Sequence, residues 1–199
     1  MWGQPPSAVR RAQLDWHAQA MKAEVDTADI LNRFAAVAQE FCSIIESASK
    51  TDRTTLLTGV YGVLPRLISG AISLPKLELS EGDDATAREE LSPSHPSVRM
   101  TDEQWGQLYN QLKEKLGDWN LYQCVFDPTT DKEAICGSLA DDIADIYRDL
   151  KEGLVLGTMN HARRENIVWE WRLLYYSHWG HHAMDALLVI HFRLEDTLS

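Results

Sequence analysis

The chain has 199 residues, 44% hydrophobic and 25% charged, enough for one globular domain with a sizeable core. Its net charge of -11 repels a phosphate backbone and an anionic bilayer, which argues against nucleic-acid binding and against docking on anionic membranes. The three cysteines, Cys42, Cys124 and Cys136, include no CxxC pair, and an odd count at wide spacing points to free thiols in a reducing compartment.

Met1 to Pro6 lacks the basic-then-apolar layout of a signal peptide, and no run of about 18 apolar residues marks a membrane span. A cytoplasmic protein is expected. Ser7 can cap a first helix over 8–25, a surface helix with sparse apolar positions at Val9, Leu14, Trp16 and Met21. Asp26 or Thr27 caps a stronger helix to about Ser47. There Ile30, Leu31, Phe34, Val37, Ala38, Phe41, Ile44 and Ile45 recur at steps of three and four. Thr51 precedes a third helix, with Leu56, Leu57, Val60, Tyr61, Leu64, Leu67 and Ile68. Pro65 inside that pattern is expected to kink or split it.

The periodicity stops over 73–99, where prolines and acids dominate. The segment reads as an acidic surface loop with a short helix at 84–91. Thr101-Asp102-Glu103-Gln104 fits a capping box for a fourth helix, and Gly117 suits its end. Trp105, Leu108, Tyr109, Leu112 and Leu116 form its buried stripe. An aromatic loop follows over 118–137, with a turn at Asp127-Pro128. Leu121 to Phe126 is faintly strand-like, but no pairing partner is evident. Ser138 caps a fifth helix, and a sixth runs from about Thr158 to Leu194. The expected fold is an all-α, single-domain bundle of about six helices without a sheet. It divides into N-terminal helices over 7–72, the acidic loop over 73–99, and motif-bearing helices over 101–194.

The fifth helix has two faces. At ~100° per residue, Ile143, Ile146, Tyr147, Leu150 and Leu154 share one side. Asp141, Asp142, Asp145 and Asp149 share the other. Asp141, Asp145 and Asp149 are i, i+4 neighbours, and like charges at that spacing repel by a few tenths of a kcal/mol per pair. The arrangement suits either cation binding through carboxylate oxygens or a solvated face favoured by the helix N-terminus.

The sixth helix is apolar all round, with Ile167, Trp171, Leu174, Trp179, Leu187, Leu188 and Ile190, as expected of a central helix. Its polar residues then need partners. His178, His182 and Asp185 sit at i, i+4, i+7 on one face. Two histidines at i, i+4 can share a metal ion, although Trp179 stands where a protease zinc helix carries Glu. A buried hydrogen-bond network and proton transfer are the alternatives. Gly180 in mid-helix implies a close helix–helix approach. Cys42, in an apolar stripe, reads as core. Trp171, Tyr175 and Trp179 read as core or as a pocket wall. No Walker loop, GxGxxG or GxSxG is present.

The run Ser138-Leu139-Ala140-Asp141-Asp142-Ile143-Ala144-Asp145-Ile146-Tyr147-Arg148-Asp149-Leu150-Lys151, then Trp169–Trp171, then His178-Trp179-Gly180-x-His182-Ala183, resembles an uncharacterised bacterial family of about this length. That family is known as a domain of unknown function. The resemblance spans roughly Thr101 to Phe192 and implies an all-helical cytoplasmic protein without an assigned reaction, cofactor or catalytic residue.

Of two functions open to such a chain, the first is the expectation and the second its alternative. One is a protein-binding or scaffold module that presents a groove to a protein partner. The other is a divalent-metal-dependent hydrolase of a phosphorylated small molecule, with Asp142, Asp145, His178 and His182 as ligands. If the fifth and sixth helices pack antiparallel, at least one His–carboxylate contact is expected to join them.

Overall fold

The structure, a computed structural model, describes residues 28–76, 99–158 and 164–195. The expected helix over 8–25, most of the acidic loop with its short helix at 84–91, and His161 lie outside the described residues.

Helix α1 covers residues 28–46. Its apolar steps bury Leu31, Phe34, Ala38, Phe41, Cys42 and Ile45. A 3-10 turn at Ala48–Lys50 leads to α2, Arg53–Ser73, capped by Asp52, whose side chain accepts from the Thr55 N–H at 2.9 Å. Pro65 does not split α2, which continues for two further turns. Among the described residues α2 alone is long and apolar enough to cross a membrane, a feature that a count of consecutive apolar residues misses. Leu56, Leu57, Val60, Val63, Leu64, Leu67 and Ala71 bury its inner side in the bundle.

Helix α3 is Asp102–Leu116. Both halves of its capping box are present: the Thr101 Oγ1 accepts from Gln104 N–H at 3.2 Å, and Gln104 Oε1 accepts from Thr101 N–H at 2.9 Å. Gly117 ends it at φ +56°, a conformation that favours glycine.

The strand-like stretch after α3 does find a partner. Strand β1, Leu121–Cys124, pairs antiparallel with β2, Ile135–Ser138, with Tyr122 opposite Gly137. Among the described residues the fold is thus a helical bundle carrying one two-stranded hairpin, a correction to the expectation of no sheet. Asp127 sets up the connection, because its Oδ1 accepts from the Thr129 N–H at 2.8 Å. A Cβ at position 137 would collide with the Tyr122 ring, so Gly137 lets that ring lie across the hairpin.

Helix α4, Leu139–Leu156, starts directly from β2. Asn120 holds that start: its Oδ1 accepts from Ala140 N–H at 2.8 Å and its carbonyl accepts from Leu139 N–H at 2.8 Å. Glu46 of α1 ties the two halves of the chain, accepting from Tyr147 Oη at 3.0 Å and from Lys151 Nζ at 2.7 Å.

The expected sixth helix is two helices in the structure. Helix α5, Arg164–Leu174, passes through a π-helical turn, Tyr175–Trp179, into α6, Gly180–Glu195. Gly180 serves this turn. Its N–H donates to the Tyr175 carbonyl, and an added Cβ would strike that same oxygen. Nor is α6 buried all round: Trp179, Ala183, Ala186 and Ile190 face the core, whereas Leu188 is 58% exposed. Helix α6 packs on α2 and α4, and α4 also packs on α3 and α5. Helix α4 therefore packs on α3, α5 and α6 and is tied to α1 through Glu46, so both of its faces are covered.

Candidate functional site

Covering both faces of α4 decides the fate of its acids. Asp142, Asp145 and Asp149 are buried, at 4%, 8% and 6% exposure, so the solvated-face reading is overturned for these three. Asp141 is half-buried. Buried carboxylates require partners, and the π turn and α6, which run antiparallel to α4, supply them through His178 and His182. Asp142 lies beside His182, Asp149 beside His178, and Asp145 between the two histidines.

The nitrogens sort themselves cleanly. His178 Nδ1 donates to Asp149 Oδ2 at 2.6 Å, and His182 Nδ1 donates to Asp142 Oδ1 at 2.8 Å. Both Nε2 atoms turn toward a single oxygen, Asp145 Oδ2, at 3.8 Å from His178 and 3.5 Å from His182. The other Asp145 oxygen, Oδ1, accepts from Trp105 Nε1 at 2.9 Å and lies 2.7 Å from Arg148 Nη2. Tyr122 Oη donates to Asp142 Oδ2 at 2.7 Å. Asp185 lies one turn beyond His182 and acts electrostatically on Tyr122 and Cys124 of the hairpin.

The charges follow from these contacts. The bond to Asp149 raises the His178 pKa above its ordinary value, against the effect of burial. Burial opposes the charge on His182, but Asp142, Asp145 and Asp141 outweigh it and the pKa is raised. Burial, reinforced by Asp145, raises the Asp141 carboxyl, and burial raises that of Asp185. Tyr122 is likewise raised, by burial and then by Asp142.

Among the described residues, two clusters of side chains could coordinate a divalent cation: Asp145 with His178 and His182, and Asp141 with Asp142 and His182. Within each, the donor atoms lie within 4.8 Å of one another. In the first cluster, the histidine atoms that face Asp145 are those not already bonded to a carboxylate. Carboxylate–histidine bonds of the kind made by Asp142 and Asp149 fix ring orientation and increase ligand basicity in metal sites. Asp149 thus orients His178, while Asp142 holds His182 and is itself a possible ligand in the second cluster.

The aromatic residues lie elsewhere. Trp171, Tyr175 and Trp179 are buried in the core cluster. The ring of Phe34 meets Trp171 at 4.9 Å, and Tyr175 meets Trp179 at 5.0 Å, both edge-on. His181 is exposed and stacks near Phe126, and His191 Nδ1 and Tyr61 Oη share a hydrogen bond of 3.0 Å. Sequence reading missed Trp105 and Tyr122 as members of the site. Trp105 carried the same helical spacing as its apolar neighbours, and Tyr122 sat in a strand whose partner was not recognised. The one available signal was chemical, an indole N–H and a phenol O–H that need partners when buried.

In shape the chain resembles the crystal structure of protein BF1032 from Bacteroides fragilis, with a TM-score of 0.62 and 23% identity over 80% of this chain and 88% of that chain. At that identity the likeness speaks for the fold alone. No curated protein matches the chain. The family model described as Domain of unknown function (DUF5063) matches residues 25–195.

Proposed function

The chain belongs to the DUF5063 family, and from the geometry of its polar seam we propose that it is a divalent-metal-dependent hydrolase. Asp145, His178 and His182 would hold the ion, with the half-buried Asp141 as a further carboxylate near His182. The observation that carries this is the convergence of both free Nε2 atoms on one carboxylate oxygen, while both Nδ1 atoms are held by Asp149 and Asp142. A two-histidine, one-carboxylate set suits zinc or another first-row transition ion and leaves positions for water and substrate. The ion would activate water and polarise the bond to be broken. A phosphorylated small molecule is the substrate class, because its oxyanions can complete the ion's coordination within an otherwise acidic chain.

Calorimetric titration of the chelator-treated protein with Zn2+ or Mn2+ tests this. The expected result is one ion per chain, abolished in His178→Ala and His182→Ala and weakened roughly 10–100-fold in Asp149→Asn. Absence of binding in the parent protein, or full binding in both alanine variants, removes the proposal.

One observation favours a protein-binding module as the second reading. Met184, Leu188 and Phe192 are 47%, 58% and 56% exposed at helical spacing along α6, an apolar stripe of the kind that meets a protein partner. A Leu188→Asp, Phe192→Asp variant that loses a co-purifying protein yet retains the ion would assign the stripe to that role. The free Cys42, Cys124 and Cys136 suit a reducing, cytoplasmic setting for either reading.

A further inference from the structure

The π-helical turn does more than accommodate Gly180. A π turn holds an extra residue. Glu170 and His178 are therefore separated by roughly seven ordinary helical steps, about two turns, and fall on the same side of the α5–α6 rod. The row that faces α4 thus starts before His178, at Glu170. Opposite it, the row on α4 extends from Asp142, Asp145 and Asp149 to Glu152 at the same spacing.

Glu170 is only 8% exposed, and its Oε2 is inaccessible with no hydrogen-bond partner among the described residues. The charged groups that act on it are Glu152 and Asp149 of α4 and Arg99 ahead of α3. Arg99 is drawn off: its Nε lies 3.9 Å from Glu152 Oε2, and its side chain is half exposed. Glu152 also accepts from the Met100 backbone N–H. Glu170 feels Arg99 only through space, and its Oε2 accepts no hydrogen bond among the described residues. A dry carboxylate facing two others holds a proton more readily than a cation that must first be dehydrated. Asp149 links this pair of glutamates to the histidines, because it bonds to His178.

We propose that Glu170 is a charge-switching positioning residue of the seam, acting through Asp149 on His178 and so on the strength with which a divalent cation is held. This rests on the metal reading above. With a proton, Glu170 leaves the seam less negative and the ion weakly held. Without it, the added charge strengthens the hold. Burial, reinforced by Glu152 and opposed by Arg99, pushes its carboxyl up to about 7, so the switch lies near neutral pH.

The experiment is a calorimetric titration with Mn2+ of the parent and of Glu170→Gln, each at pH 6 and pH 8. The histidines titrate in both proteins, so their contribution cancels in the ratio of affinities. The ratio should be near one at pH 6 and on the order of fivefold in favour of the parent at pH 8, the scale of one charge acting across a neighbouring side chain. A second variant, Glu152→Gln, leaves Glu170 in place and should move the pH at which affinity rises to a lower value. A ratio that is the same at both pH values, or an unmoved profile in Glu152→Gln, overturns the role of Glu170 while leaving the metal centre standing. A parent protein that binds no ion at either pH overturns both.

Discussion

His178 Nδ1 and Asp149 Oδ2 are 2.6 Å apart, and this bond determines which histidine nitrogen is free to face Asp145. It also sets a direction for pH dependence. His178 and His182 bind their protons more tightly in the folded chain than in the unfolded one. Stabilisation from a raised histidine pKa is complete below the unfolded value of about 6.5 and is lost as pH rises through the folded value. The metal-free protein should accordingly be more stable to urea at pH 6 than at pH 8. A His178→Gln, His182→Gln variant should show a smaller difference, and an unchanged one would refute the contribution of the pair.

Removing one partner from a buried pair costs more than the pair itself contributes. His182→Ala leaves Asp142, 4% exposed, with Tyr122 as its remaining side-chain donor. The expected loss is ~1–3 kcal/mol at pH 6, read from urea denaturation midpoints. A variant as stable as its parent would show that Asp142 does not need the imidazole.

Gly180 should behave opposite to the general rule for helices. Glycine to alanine within a helix ordinarily stabilises by up to about 1 kcal/mol. Here the new Cβ meets the Tyr175 carbonyl that closes the π turn. Gly180→Ala should therefore destabilise by roughly 1–3 kcal/mol and disturb the spacing between Glu170 and His178. A gain in melting temperature would mean that the chain closes an ordinary helical turn at no cost.

Glu170 offers a test that needs no metal. A carboxyl raised from 4.5 to about 7 is neutral in the fold at low pH and burdens it when ionised. The burden is absent below the unfolded pKa and complete above the folded one, about 3 kcal/mol for a shift of that size. Glu170→Gln, which mimics the protonated form, should match the parent in stability near pH 4 and exceed it at pH 8. Equal stability at both would indicate that Glu170 ionises freely in the fold.

The helices were legible in the sequence because their signals are local. Apolar steps of three and four delimit α1 and α2, and Thr101 with Gln104 marks the start of α3 to the residue. The two chemical faces were legible for the same reason, since residues at i, i+4 and i+7 share a side wherever a helix forms. Other features depended on residues far apart in the chain. Whether Asp142, Asp145 and Asp149 meet water or histidine depends on what packs against the second face of α4. The β1–β2 pairing joins segments too short to show alternation. The π turn at Tyr175–Trp179 was not anticipated either, although Gly180 in mid-helix marked its place. The sequence alone thus determined that an acidic row and a histidine row exist. The tertiary structure decided that they face each other, which nitrogen each carboxylate holds, and that Trp105 and Tyr122 join them, because burial and hydrogen-bond partners are properties of packing between elements.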